Sequence, residues 1–349
     1  MRGYVKALTL LIGSLLVCLF VASPKAADDD HIPGAETWFS TFSIIAYDPA
    51  TNQLGVGVQS RAFGAGAIVP WAKAGVGAVA TQAAANRTYG PKAIALLEQG
   101  LTPAEVVKKI TDEDPGRDTR QVAVIDAKGR SASYTGRRVI DRNSDPADRV
   151  HIGGWAGATS GENFSAQGNT LASEAVVQAM AEAYKKGTGT MAERLMDALE
   201  AGQSKGGDIR GMQAAGILVV APMADSTVTT DRVVDLRVDD HANPFAELRR
   251  VLNVRLSGQV MLRSAELAKA GKIAEALEVE KQAVGMNPKN ERLHFELAQR
   301  YAEAGEYLNA LLSLQQAIAI QPRLKWDAVE SPAFMKMRDS VEFKRLTAQ

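Results

Sequence analysis

Four short segments near the start of the chain carry apolar or small residues on both of their faces: Phe42 to Tyr47, Leu54 to Gln59, Ala67 to Trp71 and Val76 to Thr81. A strand with one wet face alternates polar with apolar side chains, whereas these need cover above and below. The stretch DPATNQ between the first two places Asp, Pro and Asn where a chain reversal needs them. A sheet covered on both faces is the strongest constraint on this fold.

The cover is legible further on. YGPKAIALLEQG has Pro in its first turn and Gly at its end, and TPAEVVKKI opens on Thr with Glu three residues later. QVAVIDAKGRSASYTG reads as a hairpin around Lys128-Gly129, and Leu171 to Lys186 and Met191 to Ala201 read as amphipathic helices. AAGILVVAP and RVVDLRVDD are strands, and NPFAELRRVL begins a helix. Strands at both ends with helices between them predict a layered α+β domain over residues 41–252.

The remainder follows another rule. Ala268, Gly271, Ala276, Leu277, Ala283 and Pro288 are matched 34 residues later by Ala302, Gly305, Ala310, Leu311, Ala317 and Pro322. Small residues at helix crossings and Pro after the second helix make residues 255–349 resemble tetratricopeptide repeats, an all-α region whose surface suits protein or peptide partners. A helical cap on the first domain is the plainer reading.

At the other end, Arg2 and Lys6 precede the apolar run from Ala7 to Ala22, and ASPKAADDD follows. That order describes a signal peptide over residues 1–27, cut after Ala26 or Ala27, with a spacer over residues 28–40. Val17 is too bulky for lipoprotein processing at Cys18, the one cysteine. The expected location is periplasmic or secreted, with membrane attachment only through an uncleaved leader. Lys+Arg and Asp+Glu each number 40, so nothing in the charge balance favours nucleic acid as a partner.

Most motif-like stretches fail on context. Gly75 to Ala80 matches a dinucleotide fingerprint but turn residues follow where a helix is required, and Gly157 to Gly161 imitates a nucleophile elbow without a helix behind it. His31, His151, His241 and His294 have no metal-ligand spacing, so no metal and no cofactor is expected. What remains is polar residues beside small ones: Gln59-Ser60, Thr81-Gln82, Asn86, AQGN at 166–169 and GDIRGMQ at 207–213. Amide side chains both donate and accept, which suits recognition of an amide or an oxyanion.

The stretches TFSIIAYDPATNQLGVGVQSRAFGAGAIVPWAKAGVGAVATQAAAN, YGPKAIALLEQGLTPAEVV, DPGRDTRQVAVIDAKGR, FSAQGNTLASEAVVQAM and DRVVDLRVDDHANPFAELRR closely resemble a bacterial family of unknown function, number one-zero-two-eight. That family is in turn similar to the N-terminal-nucleophile hydrolases, which implies a four-layer αββα sandwich. Relatives start at Met-Thr-Phe-Ser, so the resemblance implies Thr41 as the nucleophile, its freed α-amino group acting as base. The expected substrate is a small amide or peptide, held by Gln82, Asn86, Gln167, Asn169, Asp208 and Arg210, with the Thr41 hydroxyl at the mouth of their pocket. Here a leader and spacer precede Thr41, so the Ser40–Thr41 bond must first be cut. The other reading is a non-catalytic scaffold that keeps the fold and presents its repeats to partners.

Overall fold

The computed structural model describes residues 40–147, 151–223 and 230–348. The expected leader at residues 1–27, and the spacer except for Ser40, lie outside the described residues. The first half runs β1 (Thr41–Asp48), β2 (Gln53–Ser60), α1 (Ala65–Ile68), β3 (Pro70–Lys73), β4 (Gly77–Ala83), α2 (Tyr89–Glu98), α3 (Pro103–Asp112), β5 (Arg120–Asp126), β6 (Ser131–Thr135) and α4 (Arg137–Ser144). Then come β7 (Trp155–Gly161), β8 (Phe164–Leu171), α5 (Ala175–Lys186), α6 (Met191–Ser204), β9 (Ala214–Val220), β10 (Arg232–Val238) and α7 (Pro244–Lys269). The chain ends in α8 (Ile273–Met286), α9 (Glu291–Glu303), α10 (Tyr307–Ile320), α11 (Leu324–Glu330) and α12 (Val341–Thr347).

Among the described residues the strands form two antiparallel sheets, in the orders β10-β9-β2-β1-β8-β7 and β3-β4-β5-β6. Alternation along each strand decides what each face meets. Phe42, Ile44 and Ala46 point to one side, where they pack with Met180, Leu195 and Leu199 of α5 and α6. Ile45 points to the other, and with Leu54, Val56 and Val58 it meets Ala78, Ala80, Ala123 and Ile125 of the second sheet. Val79, Val122 and Val124 cover that sheet's far side against α2 and α3. The layers therefore run helix, sheet, sheet, helix, and this two-sided burial is why the strands lack wet faces. Gly55 and Gly57 allow α6 its close approach, since an added Cβ would stand 2.7 Å from Leu195 Cδ1 and 3.2 Å from Leu199 Cδ1.

Three sequence expectations change here. Ala67–Trp71 is not one strand: Gly64, at φ 67°, turns the chain into the single-turn α1, and β3 starts only at Pro70. As an edge strand, β3 tolerates a residue that lacks an N–H. The helix expected from Leu171 begins at Ala175, because Leu171 completes β8. The border expected between 252 and 255 falls inside α7, one continuous helix of 26 residues. Its first half buries Phe245, Leu248, Leu252 and Leu256 in the helix-side core, and in its second half Ser264 donates to the Ala276 carbonyl at 3.0 Å.

The 34-residue period holds in three dimensions. α8 and α10 start at Ile273 and Tyr307 and end at Met286 and Ile320, each pair 34 apart. Gly271 and Gly305 precede them at φ 77° and 81°, left-handed positions that suit glycine. Ala276, Ala283, Ala310 and Ala317 are fully buried, so the small residues sit where the helices meet.

Candidate active site

The face between the sheets changes character along its length. Toward the start of β1 it carries Thr41, Ser43, Ser60, Gln82, Gln121, Gln167 and Asn169, all 0% or 1% exposed. Register explains the gathering: Thr41 lies opposite Ser60 on β2 and Asn169 on β8, and Gln82 lies opposite Gln121 in the second sheet.

Uncompensated burial of this many polar groups would cost several kcal/mol, and the side chains largely satisfy one another. Gln82 Nε2 donates to the Thr41 carbonyl at 3.1 Å and to Gln121 Oε1 at 2.8 Å, while its Oε1 accepts from Ser43 Oγ at 2.6 Å. Asn169 Nδ2 donates to Gln121 Oε1 at 3.0 Å, and Gln121 Nε2 to the Gly168 carbonyl at 2.9 Å. Gln167 Nε2 donates to the Ala80 carbonyl at 3.0 Å, but its Oε1 is buried with no hydrogen-bond partner among the described residues. Four amides thus lock the first sheet to the second.

Directly after two of them the backbone is strained. Ala83 follows Gln82 at φ 62°, and Thr170 follows Asn169 at φ 56°. A β-branched residue in the left-handed region is rare, and each such position costs about 1–3 kcal/mol. Strain of this kind collects at functional sites.

The head of β1 is the centre of the arrangement. Thr41 Oγ1 donates to Ser60 Oγ at 3.0 Å, and Ser60 Oγ donates to the Ser40 carbonyl at 2.7 Å. Arg210 Nη2 donates to the same carbonyl at 3.1 Å. Asp208, its side chain 0% exposed, holds that guanidinium through Oδ2 at 3.0 Å and Oδ1 at 3.3 Å, and accepts from the Arg61 N–H at 3.3 Å. The carbonyl of the Ser40–Thr41 peptide bond therefore sits between a hydroxyl and a cation. Donors aimed at one carbonyl oxygen can stabilise negative charge that develops there.

Of the residues expected at the site, Thr41, Gln82, Gln167, Asn169, Asp208 and Arg210 come together. Asn86 does not join them. Its Nδ2 donates to Asp114 at 3.0 Å and its Oδ1 accepts from the Thr88 N–H at 3.0 Å, so it shapes the turn into α2. Burial would push the Asp114 carboxyl up, but bonds from Asn86, the Gly116 N–H, Tyr89 and Arg120 outweigh it and hold it at about 2. Nor is the Thr41 hydroxyl at a pocket mouth: Thr41 is 0% exposed and Ser40 1%, because the chain continues through Ser40 into the donors. Ser43 and Gln121 were outside the expected set. Ser43 shares the parity of Thr41 on β1, which is the signal that marks it. Among the described residues no group of His, Cys, Asp and Glu is placed to hold a metal ion.

The family of unknown function DUF1028 matches residues 41–248. Among solved structures the chain is similar to protein SPO2555 from Silicibacter pomeroyi, also of DUF1028, with 29% identity and a TM-score of 0.52 over 62% of this chain and 89% of that one. No curated protein matches.

Proposed function

The chain belongs to the family of unknown function DUF1028, and we propose, from the geometry around Thr41 and the leader-like sequence of residues 1–27, that it is an exported amide hydrolase of the N-terminal-nucleophile type, with Thr41 as nucleophile. The observation that carries this reading is the Ser40 carbonyl, held by Ser60 Oγ and Arg210 Nη2 beside the Thr41 hydroxyl. In the uncut chain Thr41 Oγ1 forms a bond to the Ser40 carbonyl carbon. The C–N bond to Thr41 then breaks, its nitrogen takes a proton, and an ester remains. Water hydrolyses that ester to a Ser40 carboxylate and regenerates the Thr41 hydroxyl, beside the amine freed when the C–N bond broke. The amine next serves as the base for the Thr41 hydroxyl. A substrate's acyl group takes the place of Ser40, so the same two donors meet its carbonyl.

The leader-like residues 1–27 support a periplasmic or secreted location, tested by fractionating cells. The repeats at residues 255–349, similar to tetratricopeptide units, are proposed to hold a protein or peptide partner.

One observation favours the scaffold reading instead: Thr41 is sealed while Ser40 is attached. The two separate in one assay, in which protein opened at Thr41 is offered short peptides, acyl amides and cell-wall fragments, with Thr41→Ala produced to begin at residue 41 as control. Hydrolysis by the wild type alone supports the hydrolase. Ligand binding without turnover by protein that does begin at Thr41 supports the scaffold.

A further inference from the structure

A second cleft lies at the other end of β1, seven residues from Thr41 and about 23 Å away at roughly 3.3 Å per residue. Its volume is about 490 Å3, within the usual range for small-ligand sites. Two helix faces make its walls. Leu256, Gln259, Val260 and Arg263 recur at helical spacing on α7, as do Val279, Gln282 and Met286 on α8. Met191 of α6 adds to the apolar surface, and Gln53 of β2 is among the residues that line the remaining side.

Four polar members of this lining are uncommitted, three of them exposed to solvent. Arg263, Gln53, Gln259 and Gln282 have no side-chain hydrogen-bond or ion-pair partner among the described residues. The carboxylates at the rim are engaged locally. Asp48 accepts from the Ala50 N–H at 3.0 Å and Thr51 Oγ1 at 2.9 Å, and Glu193 accepts from the Thr190 N–H and Oγ1, both at 2.8 Å. What the cleft offers is one guanidinium, three amides, aliphatic side chains and two methionines, beside two carboxylates and two hydroxyls that are already hydrogen-bonded to one another in pairs.

We infer that this cleft binds a carboxylate flanked by an amide and an apolar side chain, the end of a short peptide or an N-acylated amino acid. The guanidinium meets the carboxylate in a charge-assisted pair. The glutamines supply both donors and acceptors for the neighbouring amide. Met191 and Met286 adapt to side chains of differing shape. This reading does not depend on Thr41, which lies at the opposite end of the sheet.

Calorimetric titration of the full chain tests it, with N-acetyl-leucine and Ala-Ala-Leu as free acids and as C-terminal amides. Both acids should bind, and tighter binding of Ala-Ala-Leu would mark a peptide as the source. Amidation or Arg263→Ala should weaken binding about tenfold or more, and Arg263→Lys should lose less. Val260→Trp, which fills the cleft, should abolish binding without lowering the melting temperature. Equal binding of acid and amide, unchanged binding by Arg263→Ala or Val260→Trp, or no binding of either acid at millimolar concentration overturns the inference.

Discussion

The two ends of the sheet-to-sheet interface are built on the same strands with opposite chemistry. At one end Ile45, Leu54, Val56, Ala123, Ile125 and Val220 make a dry apolar seam. At the other, a few residues along, Ser43, Gln82, Gln121, Gln167 and Asn169 fill the same layer with amides and hydroxyls. An apolar seam throughout would hold the sheets together without the desolvation that amides incur. A polar end that locks into a network, leaves Gln167 Oε1 without a partner among the described residues and strains Ala83 and Thr170 is poor design for stability alone. The contrast teaches that one end holds the fold and the other holds Ser40 and Thr41.

The contrast can be broken by mutation, and the largest effect is expected at Thr41. Thr41→Ala should remove several orders of magnitude in amide turnover while costing about 2 kcal/mol in stability, for one buried methyl and one buried hydrogen bond. Thr41→Ser should keep part of the activity, because the hydroxyl remains. Rates and thermal melts measured on one preparation check both halves of the claim. Ser60→Ala removes one of the two donors on the Ser40 carbonyl, so turnover should fall about 10²–10³-fold, as for other oxyanion donors.

At the apolar end the pattern should invert. Ile45 is fully buried between the sheets, and Ile45→Ala should cost about 3 kcal/mol in chemical denaturation while leaving turnover per folded molecule unchanged. A large loss of rate there would mean that the two ends are not separable.

How much of this was legible is clearest at particular residues. The buried strands, the capping boxes at Thr102 and Thr190 and the 34-residue period follow from spacing, because each is a local rule. The gathering of Gln82 and Asn169 with Thr41 was expected, but the bonds that join them cross from one sheet to the other and depend on register. Asn86 stands apart because an amide near a strand end can as well shape the turn that leads into the next helix. No break in secondary structure marks 252–255, since a repeat period marks where units recur and nothing between Pro244 and Gly271 stops α7.

A smaller effect tests the reassignment of Asn86. The Asp114 carboxyl it supports sits at about 2, below the ordinary 3.8, so the charged form is stabilised in the folded state. That contributes about 2 kcal/mol above pH 4, lost as pH falls from about 4 toward 2. Asp114→Asn should flatten this part of the stability profile in acid titration without altering the site around Thr41.

The central claim is that the polar end opens its own chain at Ser40–Thr41 to make the nucleophile. Intact mass with N-terminal sequencing tests it most directly, on wild type, Thr41→Ala and Ser60→Ala purified alike. The account predicts a wild-type chain that begins at Thr41, an uncut Thr41→Ala chain and slow cutting in Ser60→Ala. A wild-type chain that still carries Ser40 after prolonged incubation, or a Thr41→Ala chain cut at the same bond, would contradict it.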